Sequence, residues 1–344
     1  MAVTDIGTSD ARSATAPAPA GAMKAIIQEG QGSFDVLHLR EIDRPVLEND
    51  RVLVRVHAAS VNAADYHSVH GGWLVQVVGK LMRAKTFPIP GTDVSGVVEA
   101  VGQDVTGLKV GDEVFGGARG SYAEYTTGTE RTLLLKPRNI SFAEAGAVCI
   151  AGVTALQGLR DKGGLKSGQR VLIHGAGGGV GTFAVQIAKA LGAHVTAVTG
   201  PRNIEIVRSL APDALVDYTK EDITRRGERY DVVLDIASTR SLGSMRRIVA
   251  PDGMLVLVGA SKGGWIGVFA RIIAALIRAR VLKQRVVFYV AQLKHDDLAF
   301  LKELMETGKL RPQIEKEYPL SETVEAFRYA GSGQARAKVV ITIR

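Results

Sequence analysis

Apolar and polar positions follow two rhythms along this chain, and the rhythm changes near residue 143. From Met23 to about Phe142 the apolar runs are short and β-like. They lie at Lys24 to Gln28, Arg51 to Ala59, Val94 to Val101 and Glu113 to Phe115, broken by Gly, Pro and Asp. These runs predict a compact β-rich domain. From Ala143 a helical stretch runs to Leu159, followed by the apolar run Val171 to Ile173, a Gly-rich turn, a helix to about Leu191 and the run His194 to Val198. That order is a βαβ unit. Runs at Asp231 to Ile236 and Met254 to Gly259 continue the alternation, which predicts a doubly wound parallel sheet covered by helices. The last run, Ala337 to Ile343, is strand-like and is expected to return to the first domain. One domain then comprises residues 23–142 and 313–344, the other 143–312.

Length and composition fit this division. With 344 residues the chain exceeds the size at which a single hydrophobic core stops growing. A hydrophobic content of 46% with 39 glycines suits an α/β protein with many tight turns. A single cysteine, Cys149, excludes an internal disulfide and a structural zinc site of several cysteines, and points to a reducing, cytoplasmic setting. Residues 1–22, rich in Ala, Ser, Thr, Pro and Gly, read as a disordered tail with neither the basic start nor the apolar run of a signal peptide. The net charge of +8 raises nucleic acid, a membrane surface or an anionic small ligand as partner. The cations are spread along the chain without a nucleic-acid module, so a phosphate-bearing ligand is favoured.

From Trp265 to Arg285, apolar residues at 265, 268, 269, 272, 273 and 276 have helical spacing, with Arg271 and Arg278 on the other face. No uninterrupted apolar run is long enough to span a membrane. An apolar face packed on a domain or subunit neighbour is favoured over a substrate lid or peripheral membrane contact.

The chemistry concentrates in Val171-Leu172-Ile173-His174-Gly175-Ala176-Gly177-Gly178-Gly179-Val180-Gly181. A glycine fingerprint alone says little, but this one follows a strand and opens a helix whose next strand begins near His194. In that context a pyrophosphate docks on the helix N-terminal amides, and side chains on the turn would hold the backbone away from it. Aligned on the second half of the motif, the three fingerprint positions become Ala176, Gly178 and Gly181. An acidic residue ending the second strand would bind a ribose 2′-hydroxyl and repel a 2′-phosphate. This chain has Val198-Thr199-Gly200-Pro201-Arg202-Asn203 there. With no carboxylate and with the planar cation of Arg202, NADPH is the expected cofactor, held by Thr199, Arg202 and Asn203 beyond the turn itself.

Five further stretches accompany the turn: Ser60-Val61-Asn62-Ala63-Ala64-Asp65, Pro90 to Val98, Val110 to Val114, Gly120 to Tyr125 and Ala151 to Ala155. Together they identify the chain as resembling the medium-chain dehydrogenase/reductase superfamily, in its zinc-independent quinone oxidoreductase-like (zeta-crystallin-like) branch, from Met23 to Arg344. The resemblance implies a GroES-like substrate domain, a Rossmann domain, an active site between them and a homodimer. Zinc-dependent alcohol dehydrogenases of this superfamily carry ligands at the positions of Asn62, of the Thr92-Asp93 pair and of Ile150. None of these residues is the usual Cys or His ligand, so no metal is expected.

In the quinone oxidoreductase-like branch, residues matching Asn62 and Thr154 lie at the nicotinamide, and one matching Tyr218 lies near the adenosine. Each also reads as an ordinary turn, helix or strand-end residue. Gly259, which ends its run, and Lys338 join the expected cofactor contacts, although Ala337 replaces the Gly that precedes the family's Lys. Without a metal to polarise a plain carbonyl, an activated acceptor is favoured: a quinone, or an enone or enal whose charge delocalises as an enolate. The Tyr of enoyl-thioester reductases is absent, because Gly71-Gly72-Trp73 occupies its place, which leaves Tyr66 and His67 as candidate proton donors. Trp73 and the segment Leu74 to Lys85 are expected to wall the acceptor pocket. A carbonyl reductase of the alcohol dehydrogenase type, and a non-catalytic NADPH-responsive protein binding RNA or membrane, are the competing readings.

Overall fold

The computed structural model describes residues 21–70, 88–258 and 285–343. The expected tail is shortened at its end, because β1 begins at Ala22, which pairs with Asp43 across an antiparallel ribbon. Gly259, Trp73, Leu74 to Lys85 and the amphipathic segment over residues 265–284 lie outside the described residues. Arg285, assigned above to a helix, instead opens a strand.

The first body contains β1 (Ala22–Gln28), β2 (Leu37–Asp43), β3 (Val52–Ser60), α1 (Ala63–His70), β4 (Asp93–Val101), β5 (Glu113–Gly117), β6 (Tyr125–Gly128) and β7 (Leu133–Leu135). Then come α2 (Phe142–Ala145) and α3 (Cys149–Leu156). The second body continues with β8 (Arg170–His174), α4 (Gly179–Ala190), β9 (His194–Thr199), α5 (Ile204–Ser209), β10 (Ala214–Asp217), β11 (Tyr230–Asp235), α6 (Leu242–Arg247), β12 (Val249–Val258), β13 (Arg285–Tyr289) and α7 (His295–Glu306). The chain closes with β14 (Ile314–Pro319), α8 (Thr323–Gly331) and β15 (Lys338–Thr342).

In the second body the strands pair in parallel in the order β10-β9-β8-β11-β12-β13. This is the doubly wound α/β arrangement predicted from the alternating runs, with its switch of direction between β8 and β11. Period-two alternation explains why both faces are covered. Val171, Ile173, Val195, Ala197 and Val232 bury in one cluster with α4, while Leu172, Val198 and Val233 bury in another beneath α6. Helix α4 contributes Phe183, Ala184, Ile187 and Ala188 to the first cluster, which fixes its start above the end of β8.

The first body is built on β14-β15-β3-β4-β5-β7, mostly antiparallel, with β6 on the other side of β3. Strand β15 pairs with β3 through Val340 and Ser60, so the end of the chain completes this sheet. The helical stretch expected up to Leu159 is broken: residues Gln157–Lys162 form a π-helical turn in which the Gly163 amide bonds the Gly158 carbonyl. The tertiary cause is visible. The Tyr289 hydroxyl donates to the Thr154 carbonyl, and Gln157 is drawn sideways to Gln292 and the buried Asp297, which opens the ladder.

Candidate active site

The glycine turn follows β8 because its backbone leaves the strand in ways that side chains oppose. Gly175 has φ of +95° and hydrogen-bonds the Val198 carbonyl. A Cβ on Gly181 would stand 2.2 Å from the Gly175 carbonyl oxygen, and one on Gly177 would stand 2.4 Å from Cβ of Asn203. These two glycines serve packing. Gly178 differs: its φ is −88°, and among the described residues a Cβ there would meet only the Gly175 oxygen, at 3.6 Å. The fold leaves open space over Gly178 at the N-terminus of α4, where no side chain caps the helix. The turn therefore offers amides and room to an anion. Ala176 is fully buried and bonds the Val198 carbonyl, so it is a supporting residue of the turn. Val180 lies in the first turn of α4 and is only partly buried.

The end of β9 forms the rim. Tyr218 is 52% exposed, and its hydroxyl lies 2.8 Å from where a Cβ of Gly200 would be, so the ring stands against the glycine at the strand end. Thr199 is buried, and Arg202 is exposed with no ion pair among the described residues. The Arg336 guanidinium hydrogen-bonds the Arg202 carbonyl, bringing a second cation alongside, although Glu315 neutralises it. Asp217 faces Thr199 in register, but its carboxylate is turned onto Thr219. Among the described residues, Oδ1 of Asn203, buried beside Gly177, has no hydrogen-bond partner. A buried acceptor of this kind requires a donor, such as a ribose hydroxyl.

Across the turn, Ala337 donates its amide to the Gly177 carbonyl. Its φ of +51° explains why a glycine is at home in this position and why Ala is strained there. The stem of Lys338 then passes 3.1 Å from the Cβ position of Gly179, and the side chain is buried. Its ammonium lies 2.7 Å from Asn62 Oδ1, 3.4 Å from the Val61 carbonyl and 3.5 Å from Asp93 Oδ2. Asp93 is wholly buried at the start of β4. It accepts from the Ser60 hydroxyl at 2.5 Å and from the Ile150 amide at 2.8 Å, capping the start of α3.

A second buried carboxylate, Asp65, accepts from the Asn62 backbone N–H at 2.9 Å and from the Tyr122 hydroxyl at 3.0 Å. Burial, reinforced by the Asp93 charge, raises its pKa to about 6. Burial and then Asp65 push the Tyr122 phenol well above its usual value, and burial beside Asp93 does the same to the Cys149 thiol.

Residues 48–138 match the family model described as alcohol dehydrogenase GroES-like domain, and residues 210–341 the model described as zinc-binding dehydrogenase. The chain is 33% identical over 334 residues to a 2-methylene-furan-3-one reductase of Solanum lycopersicum, covering 93% of this chain and 79% of that one. It is 32% identical over 335 residues to a chloroplastic NADPH-dependent alkenal/one oxidoreductase of Arabidopsis thaliana, with the same two coverages of 93% and 79%. The solved quinone oxidoreductase from Coxiella burnetii superposes with a TM-score of 0.82 at 31% identity, covering 94% of this chain and all of that one. The chain belongs to the medium-chain dehydrogenase/reductase superfamily, in its quinone oxidoreductase-like branch. As a member it is an oxidoreductase.

In this quinone oxidoreductase-like chain, the positions read above as lacking metal ligands converge in space. Asn62 and Asp93 meet at the Lys338 ammonium, and Ile150 presents its amide to Asp93. Among the described residues no three His, Cys, Asp or Glu side chains gather as metal ligands. Tyr66 and His67 follow on α1, but the Tyr66 ring packs on Phe34 with centroids 5.2 Å apart and abuts Gly331 of α8. Thr154 sits in α3 with its carbonyl bound by Tyr289.

Three groups escaped the sequence reading. Asp93 and Asp65 were visible only as motif letters, although a carboxylate opening an apolar run signals a buried charge in need of a partner. The third is the buried pair His174 and Asp235, whose Nδ1 and Oδ1 lie 2.8 Å apart at the strand ends flanking the switch point. Asp235 Oδ1 also accepts the Ser238 amide, so the pair ties the loop after β11 to the strand that feeds the turn.

Proposed function

We propose that this chain is an NADPH-dependent oxidoreductase that passes hydride to a quinone or to an α,β-unsaturated carbonyl without a metal. The observation that carries the reading is the Lys338 ammonium, seated between Asn62 and Asp93 against the glycine turn. The zinc-binding dehydrogenase match spans residues 210–341 and so contains none of the three ligand positions at Asn62, Thr92-Asp93 and Ile150. The donor set at those positions is an amide, a carboxylate already bound to lysine, hydroxyl and amide, and an aliphatic side chain, which suits Zn²⁺ poorly.

The space over Gly178 and the unpartnered Asn203 oxygen fit a dinucleotide, and Arg202, with no carboxylate partner among the described residues, fits a 2′-phosphate. When bound, NADPH supplies the hydride. The chain's own work is to hold and orient. The Lys338 ammonium donates to the Val61 carbonyl and Asn62 Oδ1 and is ion-paired with Asp93 at 3.5 Å, so Lys338 positions rather than protonates. It fixes the Asn62 amide by its oxygen. Asn62 Nδ2 then gives one N–H to the Ser60 carbonyl and keeps the other for the cofactor carboxamide or the acceptor oxygen. Such a donor stabilises an enolate or quinol oxygen sufficiently, whereas an unactivated ketone needs stronger polarisation. His67 or water serves as the proton source. A symmetric dimer, the commonest assembly, and a cytoplasmic setting suited to the single buried thiol complete the reading.

The test is NADPH or NADH consumption with a panel of quinones, enones and simple ketones, with and without chelator. Turnover of quinones or enones with NADPH, unaffected by chelation, is expected. Chelator-sensitive ketone reduction would instead identify an alcohol dehydrogenase-type enzyme. In Arg202→Ala, NADPH should weaken far more than NADH, and equal weakening of both removes the 2′-phosphate assignment.

A further inference from the structure

At the opposite end of the parallel sheet from the glycine turn, a cavity of about 630 Å³ opens beside the starts of β11 and β12. Its wall includes Arg225, Arg229, Arg246 and Arg247, with the apolar side chains of Leu242 and Ile248. Arg246 is the anomaly. The residue is only 6% exposed, yet its Nε and one terminal nitrogen, Nη2, are buried with no hydrogen-bond acceptor among the described residues.

A guanidinium is permanently charged, and burying it unpaired is among the most unfavourable arrangements a fold can hold, so an unmatched buried arginine calls for an anion. The described residues do not supply one. Glu228, the acidic residue of the wall, is already engaged by Arg170 and Arg226 and by the Tyr230 hydroxyl. Arg225 has its own partner in Asp222, at 3.7 Å. Arg229, Arg246 and Arg247 have no carboxylate within ion-pair distance among the described residues, and Arg247 reaches only the Ser244 hydroxyl.

We infer that this cavity binds a small phosphate-bearing molecule, whose phosphate is received by Arg246 with Arg229 and Arg247 at the rim. A carboxylate would match one guanidinium fork. A phosphate carries up to two charges and three acceptor oxygens, and so answers several arginines at once. The cavity is far larger than a phosphate group and lies in the size range of small-ligand pockets, and Leu242 and Ile248 give the remainder of the molecule an apolar wall. The glycine turn follows the end of β8, whereas this cavity adjoins strand beginnings, so one dinucleotide does not account for both.

The test is calorimetric titration of the full chain with inorganic phosphate and, separately, with glycerol 3-phosphate, at constant ionic strength in chloride buffer. Saturable binding of either probe is expected. In Arg246→Met it should weaken roughly thirtyfold or more, as for truncating one partner of a buried charged pair. Arg246→Lys, which keeps the charge and loses the fork, should fall between the two. Should the Arg246 variants fail to fold, the exposed rim changes Arg229→Ala and Arg247→Ala give the same reading through a severalfold loss. Arg202→Ala, which alters the rim of the glycine turn, should leave phosphate binding here unchanged. Phosphate affinity equal in the wild type and in Arg246→Met, or lost in Arg202→Ala alone, overturns the inference. Tighter binding of glycerol 3-phosphate than of inorganic phosphate identifies the organic ester as the natural class, and equal binding identifies free phosphate.

Discussion

Replacing Lys338 by Met keeps the length and apolar stem of the side chain and removes its charge. The consequence falls on Asp93, whose side chain has no exposed surface and whose only cation in contact, among the described residues, is this ammonium. Breaking a buried pair by deleting one partner costs roughly 3–5 kcal/mol. Asp93 keeps the Ser60 hydroxyl and the Ile150 amide, which places the expected loss near the lower end, about 3 kcal/mol. Against a typical total of about 5–15 kcal/mol the variant should fold, with a clearly lower urea midpoint and an unchanged slope. Pairing the change with Asp93→Asn sharpens the test. With no carboxylate left unpaired, the double variant should be more stable than Lys338→Met alone, with a coupling of about 2 kcal/mol. Because Lys338 also holds the Asn62 oxygen, turnover in Lys338→Met should fall even at saturating cofactor. A urea midpoint within experimental scatter of wild type, or strictly additive effects in the cycle, would refute the reasoning.

Other expectations follow from the same network and from the turn. Asp65, raised from 3.8 to about 6 in the folded protein, favours the fold when protonated. Its contribution is complete below about pH 4 and is lost as pH rises through 6, by an amount on the order of 3 kcal/mol. Asp65→Asn should therefore gain stability relative to wild type between pH 4 and pH 7, and parallel urea-stability curves across that range would exclude the assignment. Gly178→Ala should melt close to wild type, because its Cβ has room, yet bind dinucleotide at least tenfold more weakly, on the order of 1.4 kcal/mol, in a fluorescence titration. Gly181→Ala, with its Cβ pressed to 2.2 Å from a carbonyl oxygen, should lose about 1–3 kcal/mol of stability in thermal melts. Ala337→Gly relieves a φ of +51° and should stabilise by about 0.5 kcal/mol in urea.

Local pattern carried most of the fold. The alternating runs from Val171 onward announce the parallel sheet because both its faces are buried, and the turn announces its ligand because glycine spacing is a backbone property. Short partners such as β6 and β7 escaped, since a strand of three or four residues owes its existence to the neighbour it pairs with. The π-helical turn escaped for a similar reason: it is set by Tyr289 and Gln292, far along the chain. In the site, residues on the turn were legible one by one. What sequence spacing could not reveal is that Lys338 and Asn62, 276 residues apart, share a hydrogen bond, or that Asp93 completes the group.

The meeting of β15 with β3 and with the glycine turn has a consequence for biosynthesis. Strand β3 is made early, but its partner leaves the ribosome only after the whole nucleotide-binding half. Until then β6 covers only Val52–Arg55 on that side of β3 and the Ala58–Ser60 end is an unpaired edge, the Asp93 carboxylate lacks the Lys338 cation, and Ala337 is not yet docked on Gly177. A chain cut short before β15 would keep nearly all of its nucleotide-binding half, yet expose a sticky strand and a charged core. Such products invite aggregation and proteolysis. Strand β15 thus acts as a proof of completeness, since only a chain translated through it can close both halves at once.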